Sequence, residues 1–467
     1  MTVQASSRRF RMQRQAIAEK LLFFILALAL PLALASSPTT FGDGDVSWHI
    51  AAGKWILQHH AVPTTDPFSF TAAGHPWVAM EWLADVLFAA GYNAAGYAGV
   101  ATVVAAALIA LHAILFLYLQ RRTGPLALAT TIIALDLVLY PFLLARPHVL
   151  VWPVIAGWTV LLLRSLDTGR APPLWGALIM LVWTNVHGSF PLGALIGAAI
   201  AFDALTSAQW KTLPDWTVFG LASLLATLLN LNGAAGLLQP FRIAGMGTLT
   251  LIQEWEPSTP FFTPQFYVVV LLGLGAILWA GVKVPLGRLL LLLVMLALAL
   301  MQVRHQSWFV IVAAAVIPPL FRAKPFSEQR VGLIAVAVVP LLAFRAALPL
   351  TLPDSSANPR QLIAAVPAKL RSQPVLNGYT FGGPLILAGI KPYIDGRSDM
   401  YGDAFVTDYS EIVNGDLGRF DRAVQRYGIR GTMLPAGNTR LIRALDSSPA
   451  WRRVYADQIG VIHVRRD

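Results

Sequence analysis

The strongest constraint on this chain is a recurrence. Nearly uncharged apolar stretches return at roughly 20–36, 96–119, 125–144, 149–166, 172–187, 190–207, 216–232, 265–282, 286–303, 306–321 and 331–350. A helix that crosses a bilayer needs ~20 consecutive apolar residues, and each stretch approaches that length. Backbone amides and carbonyls cannot be left bare in lipid, so such runs must be helical. Only 13% of the 467 residues are charged and 56% are hydrophobic, with a mean hydropathy of +0.61. That mix is foreign to soluble globular chains. The expectation is an α-helical polytopic membrane protein with about eleven transmembrane helices.

The loops orient it. With the N-terminus in the cytoplasm, the inside loops carry about fifteen Lys and Arg, among them Arg8, Arg121, Arg122, Arg170, Lys211, Lys283 and Arg322. The outside loops before residue 350 carry about five: Lys54, Arg146, Arg242, Arg304 and Arg345. This positive-inside bias sets a cytoplasmic N-terminus and an extracytoplasmic C-terminal segment. It also accounts for the formal charge of +11 without a nucleic-acid partner. Ala33-Leu34-Ala35 resembles a signal-peptidase site, but the many spans that follow favour an uncleaved first helix. With no cysteine in the chain, disulfides and thiolate chemistry are excluded.

From Asp354 the character changes to mixed polar sequence. Alternation in "KPYIDGR" and "RRVYADQIGVIHVRR" predicts strands, and "GRFDRAVQRYG" and "NTRLIRALDSS" predict helices. The organisation expected is a transmembrane region over 1–350, with a first outer loop at 37–95, and a small extramembrane α/β domain over 354–467. No internal repeat is visible.

Polar residues at the span ends fall on one side. "GDGDVSWH", "TTDPFS", "MEWLAD", "LARPHV", "TNVHGSF", "IQEWEP" and "QVRHQ" all lie at outer ends, whereas the inner loops are basic tethers. "VSWHIAAGKWILQHH" has helical spacing, and Asp45 and His49, four apart, share a face. Asp43, Asp45 and His49 are the catalytic candidates; the plainer reading of Asp45 is an N-cap. Candidates for substrate binding are Asp66, Glu81, Arg146, His148, His187, Glu254, Arg304 and His305. Each has a structural alternative: an Asx-turn for Asp66, a helix-start acid for Glu81, snorkelling for Arg146, and a helix end for His187.

These motifs, with "ARPHV", "NVHGSF", "EWEP", "RHQSWF" and "NGYTFGGPLI…YIDGRSDMYG", resemble the multi-pass GT-C class glycosyltransferases. That class includes protein O-mannosyltransferases, oligosaccharyltransferase catalytic subunits and aminoarabinose transferases. The resemblance implies transfer of a sugar from a polyprenyl-phosphate donor to an acceptor glycan, lipid or protein on the outer face. It implies an acid in the first outer loop as base, with Asp45 or Asp43 in that role, and Arg304 or Arg146 at the phosphate. It leaves open a divalent cation, Mg²⁺ or Mn²⁺, held by Asp43, Asp45 and Glu254, since oxygen ligands suit both ions. Two rival readings stand beside it. A transporter of a lipid-linked or small polar substrate would use intramembrane acids, of which Asp136 and Asp203 are the only two well inside spans. A non-catalytic membrane assembly protein would use "IDGRSDMYGD" as a binding segment.

Overall fold

The computed structural model describes residues 25–207, 209–248, 253–321 and 331–466. Expectations for the basic N-terminal residues and for Arg322 lie outside them. The membrane part is a helical bundle: α1 (Leu30–Ala35), α2 (Asp45–His59), α3 (Trp82–Leu119), α4 (Pro125–Leu139), α5 (Pro147–Thr168), α6 (Ala177–Val186) and α7 (Pro191–Thr206). It continues with α8 (Leu213–Thr227), α9 (Gly233–Ala244), α10 (Pro264–Trp279), α11 (Leu286–Met301), α12 (His305–Val316) and α13 (Val331–Ala347).

Each apolar stretch falls on a helix, and α2 and α9 are the additions. Among the described residues three helices are long and apolar enough to cross a bilayer alone: Trp82–Leu119, Pro125–Phe142 and Pro147–Thr168. The others are shorter. Proline starts α4, α5, α7 and α10, where its missing N–H has no helical partner to lose and its fixed φ suits the first turn. Gly169, left-handed at φ 67, ends α5. α3 breaks at Ala95 and Gly96, the glycine at φ 60, which separates a short outer segment from the spanning one.

α12 is buried on every face from Gln306 to Val316 and forms the centre of the bundle, as expected of a helix that is apolar all round. Trp152 and Phe116 fill the core beside it. The periphery is greasy: Leu126, Leu271, Leu272, Leu278 and Trp279 are all exposed. Such a surface suits lipid and would aggregate in water.

The C-terminal segment forms a four-stranded sheet of β1 (Val375–Asn377), β2 (Gly431–Pro435), β3 (Trp451–Ala456) and β4 (Gly460–Arg465). The strand order is β1-β2-β4-β3, with β1 parallel to β2 and the other pairs antiparallel. Around it lie α14 (Arg360–Ala364), α15 (Gly382–Leu387), α16 (Ser398–Tyr401), α17 (Asp403–Val413), α18 (Leu417–Tyr427) and α19 (Thr439–Ser447). The hairpin and the helices α18 and α19 follow the sequence pattern. "KPYIDGR" does not, because it is loop with a single bridge from Pro392 to Val375. Its apolar residues Tyr393 and Ile394 are buried as loop residues in the core under the sheet, so alternation there reflected burial without strand pairing.

This segment rests on the first outer loop. The Thr71 hydroxyl donates to the Tyr393 carbonyl at 2.5 Å, and α15 lies against α2 so closely that a methyl on Gly383 would come within 2.3 Å of the Gly44 carbonyl oxygen.

Candidate active site

The site is built where the first loop meets the start of α5. The Ala145 amide donates to the Thr40 carbonyl at 2.7 Å, and this places Arg146, the residue preceding α5, beside the start of α2. Three carboxylates converge on its guanidinium: Asp43, Asp45 at 2.6 Å, and Glu254 from the loop after α9. Asp45 is not the cap that its position suggested. Gly44 occupies the N-cap position without a side-chain bond, and Asp43 accepts the Asp45 amide at 2.9 Å. The Asp45 side chain is thereby left to Arg146.

The loop carrying Glu254 is held by backbone pairing. The Arg304 amide donates to the Glu254 carbonyl at 3.1 Å and the Val303 amide to the Glu256 carbonyl at 3.0 Å. The Arg304 guanidinium lies over the Trp255 ring at 4.3 Å. Among the described residues it has no hydrogen-bond or ion-pair partner.

A cavity of about 650 Å³ opens here, and Asp45, His49, Glu81, Arg146, His148, His187, Glu254, Arg304 and His305 all line it. A second chamber of about 370 Å³ shares His148, Glu254 and Arg304 with it and is reached by Asp43. Nine of the eleven sequence candidates thus meet in one place, and Asp43 joins them through Arg146. His148 is tied to the Phe142 carbonyl at 2.7 Å and His305 to the Leu298 carbonyl at 3.1 Å, so each has one nitrogen committed to backbone. His187 caps α6, bonds Ser189 at 2.9 Å and approaches Glu81 at 3.5 Å.

Asp66 stands apart. It accepts from the Phe68 and Ser69 amides and the Ser69 hydroxyl, which is the Asx-type turn its composition suggested, and it pairs with Arg397 at 2.8 Å. It does not line the cavity. Sequence reasoning missed Asp85, Tyr379, Arg397 and Asp399, which do. The acid-rich "YIDGRSDMYG" was the available signal for the last two. Tyr379 lies in the quoted "NGYTFGGPLI" and arrives through the docking of α15 on α2.

Burial and the opposing cations set the charges. Loss of hydration pushes the Asp45 carboxyl up to about 7 against the pull of Arg146, with Asp43 and Glu254 adding to the rise. Burial likewise raises Glu81 to about 8. For Glu254 burial acts in the same direction, but Arg146 and Arg304 together outweigh it and hold the group at about 2. Burial lowers Arg304, partly offset by Glu254 and Glu81.

A divalent ion at Asp43, Asp45 and Glu254 would have to displace a guanidinium that already binds all three. Among the described residues no cluster of three or more His, Asp or Glu is arranged to hold a metal. The donor set therefore does not fit the metal left open by the sequence.

No protein-family model and no curated protein sequence matches the chain. Among solved structures, ArnT from Cupriavidus metallidurans bound to undecaprenyl phosphate matches with a TM-score of 0.55 at 13% identity, covering 94% of this chain and 97% of that one. The oligosaccharyltransferase of Archaeoglobus fulgidus in the apo form matches with a TM-score of 0.44 at 12% identity, over 88% of this chain and 69% of that one. The chain has the fold of ArnT, the polytopic GT-C fold that the resemblance in its sequence implied.

Proposed function

We propose that the protein is a membrane glycosyltransferase that moves a sugar from a polyprenyl-phosphate donor to an acceptor on the outer face of the cytoplasmic membrane. The observation that carries this reading is Arg304. It is a cation lining both chambers, with an aromatic face behind it and no acid bonded to it among the described residues. A guanidinium left with its donors open matches phosphate geometry. Arg146 is the weaker choice for the phosphate, because three carboxylates already use it.

The rest of the cavity suits the other parts of such a donor. Leu192, Leu195, Pro240, Phe241 and Leu298 give it an apolar wall for a polyprenyl tail, while the acids and histidines face the sugar. As the bond to phosphate breaks, positive charge develops at the anomeric carbon, and the Asp45 carboxylate, fixed by Arg146, would stabilise it. ArnT, whose fold the chain shares, was solved with undecaprenyl phosphate bound, which supports a lipid phosphate as the ligand here. The transporter reading draws no comparable support. Asp136 bonds His112 at 2.9 Å, Asp203 bonds Arg288 at 2.8 Å, and neither lines the cavity.

The test is direct titration of the purified protein with undecaprenyl phosphate in detergent micelles, followed by native mass spectrometry. Binding should weaken at least ~10-fold in Arg304→Gln, the scale of a lost charge-assisted hydrogen bond. Equal binding by both proteins would remove Arg304 as the phosphate site.

A further inference from the structure

One helical turn beyond Asp45, α2 presents a second group to the cavity. His49 Nδ1 lies 2.6 Å from Asp85 Oδ1, and the two residues are 2% and 1% exposed. The pairing depends on a close helix contact. A methyl on Gly53, four residues after His49, would fall 1.9 Å from the Asp85 carbonyl oxygen, so only glycine lets α2 and the outer segment of α3 approach this far. The Trp48 ring lies 3.6 Å from the imidazole and Phe88 meets it edge-on at 6.3 Å. The ring is therefore held in one orientation; His49 lines the cavity, its Nδ1 is engaged, and Nε2 has no hydrogen bond among the described residues.

The plain reading of Asp85 is an acid in the first turn of α3, favoured by the helix dipole. Its side chain caps no amide, however, and bonds His49 instead. Of the two titratable cavity groups on α2, Asp45 is the one whose side chain is already engaged by a cation. Arg146 holds its Oδ2, and its Oδ1 faces Gly396 so closely that a methyl there would come within 2.0 Å.

We propose that His49, oriented by Asp85, is the proton acceptor of the transfer step; this rests on the transferase reading of the cavity. The acceptor oxygen forms a bond to the anomeric carbon as the bond from that carbon to the phosphate oxygen breaks. The electron pair leaves with the polyprenyl phosphate, and the acceptor's proton passes to His49 Nε2. Asp85, pushed up by burial and Glu81 and drawn down by Arg397, acts as the carboxylate that accepts the Nδ1 proton, fixing the tautomer that leaves Nε2 open and stabilising the imidazolium as it forms. His49 is thus a catalytic residue and Asp85 a positioning residue.

The groups facing His49 agree with this. Asp85 comes from α3, Asp45 from its own helix, Arg146 and His148 from the start of α5, and His187 from the end of α6. Burial first, then Arg146, His148 and His187, hold the imidazole well below its ordinary value. The resting ring is thereby kept neutral, and the proton it takes up depends on Asp85 to stabilise the imidazolium.

The experiment measures release of polyprenyl phosphate from polyprenyl-phosphate sugars by the purified full chain, with a detergent extract of cell envelopes supplying the acceptor hydroxyls and thermal stability recorded for each variant. His49→Asn keeps an amide to donate to Asp85 but has no group at Nε2. Asp85→Asn offers an N–H to Nδ1 and so drives the proton to Nε2, the wrong tautomer. Each should lower turnover about 10²–10⁴-fold with donor KM unchanged. In His49→Ala, added imidazole should restore part of the rate, a response that a merely structural histidine would not give. A folded His49→Asn that turns over like wild type overturns the assignment, and so does a His49→Ala that imidazole leaves unmoved. Wild-type protein that releases polyprenyl phosphate from none of the donors overturns the transferase reading and the base together.

Discussion

Two arginines, Arg146 and Arg397, do the same electrostatic work in different surroundings. Each gathers acids from parts of the chain far apart in sequence: Asp43, Asp45 and Glu254 for Arg146, Asp66 and Asp395 for Arg397. The Arg146 side chain is 20% exposed and its acids 19–31%, so the cluster stays open to the cavity. Arg397 borders the same cavity, but its side chain is 1% exposed, with both acids at 0%, and it lies over the rings of Phe68 and Trp77 at 5.1 and 4.7 Å. A sealed ion network adds little net stability over a well-packed apolar one, but removing one partner strands the others. The lesson is that access separates the two roles. Arg146 organises charge that a substrate can meet, and Arg397 fastens the C-terminal sheet to the first outer loop.

The largest effect should come from breaking the sealed cluster. Arg397→Met leaves Asp66 and Asp395 buried without a cation, and unfolding should lose about 3–5 kcal/mol, read as a large drop in Tm. A drop of less than ~1 kcal/mol, the worth of a surface pair, would mean that this contact fastens nothing.

Arg146→Ala should reduce Tm less, because its acids reach the cavity and Asp45 can take up a proton, while transfer falls steeply. The vacated carboxylates would then form an oxygen set suited to a divalent ion. Mn²⁺ or Mg²⁺ should raise the Tm of this variant and leave wild type unmoved. A wild-type Tm that depends on Mn²⁺ or falls with EDTA would contradict the description of Arg146 as the cation of this cluster.

The smallest effect concerns pH. Glu81 has a folded-state value of about 8 against an ordinary 4.5, so the folded protein holds this proton more tightly than the unfolded chain. Its contribution to stability is complete below about 4.5 and is lost as pH rises through about 8. Asp45, at about 7, acts in the same direction, whereas Glu254, at about 2, adds stability above 4.5 that is lost on acidification. Glu81→Gln should flatten the fall in Tm between pH 5 and 8, and an unchanged slope would take Glu81 out of it.

Sequence alone reached the fold class and most of the cavity, because both leave local marks. Apolar runs have to become helices in lipid, and Arg146, His187, Glu254 and Arg304 betray themselves as polar residues at span ends. What it missed depends on contacts across long separations. Asp66 and Arg397 are 331 residues apart, and no periodicity encodes their meeting. The partnership of His49 with Asp85 needs the glycine contact between two helices, and Asp43 in place of Asp45 accepts a backbone amide because the helix begins one residue earlier than a capping Asp45 requires.

The central claim is that Arg304 and the cavity around it receive a lipid-linked phosphate sugar. The most direct measurement is transfer kinetics with purified wild-type and Arg304→Gln protein in nanodiscs, varying the concentration of a polyprenyl-phosphate sugar. The account predicts turnover by wild type and a kcat/KM at least ~10-fold lower in the variant at matching Tm. Turnover by both proteins with the same kcat/KM would contradict it.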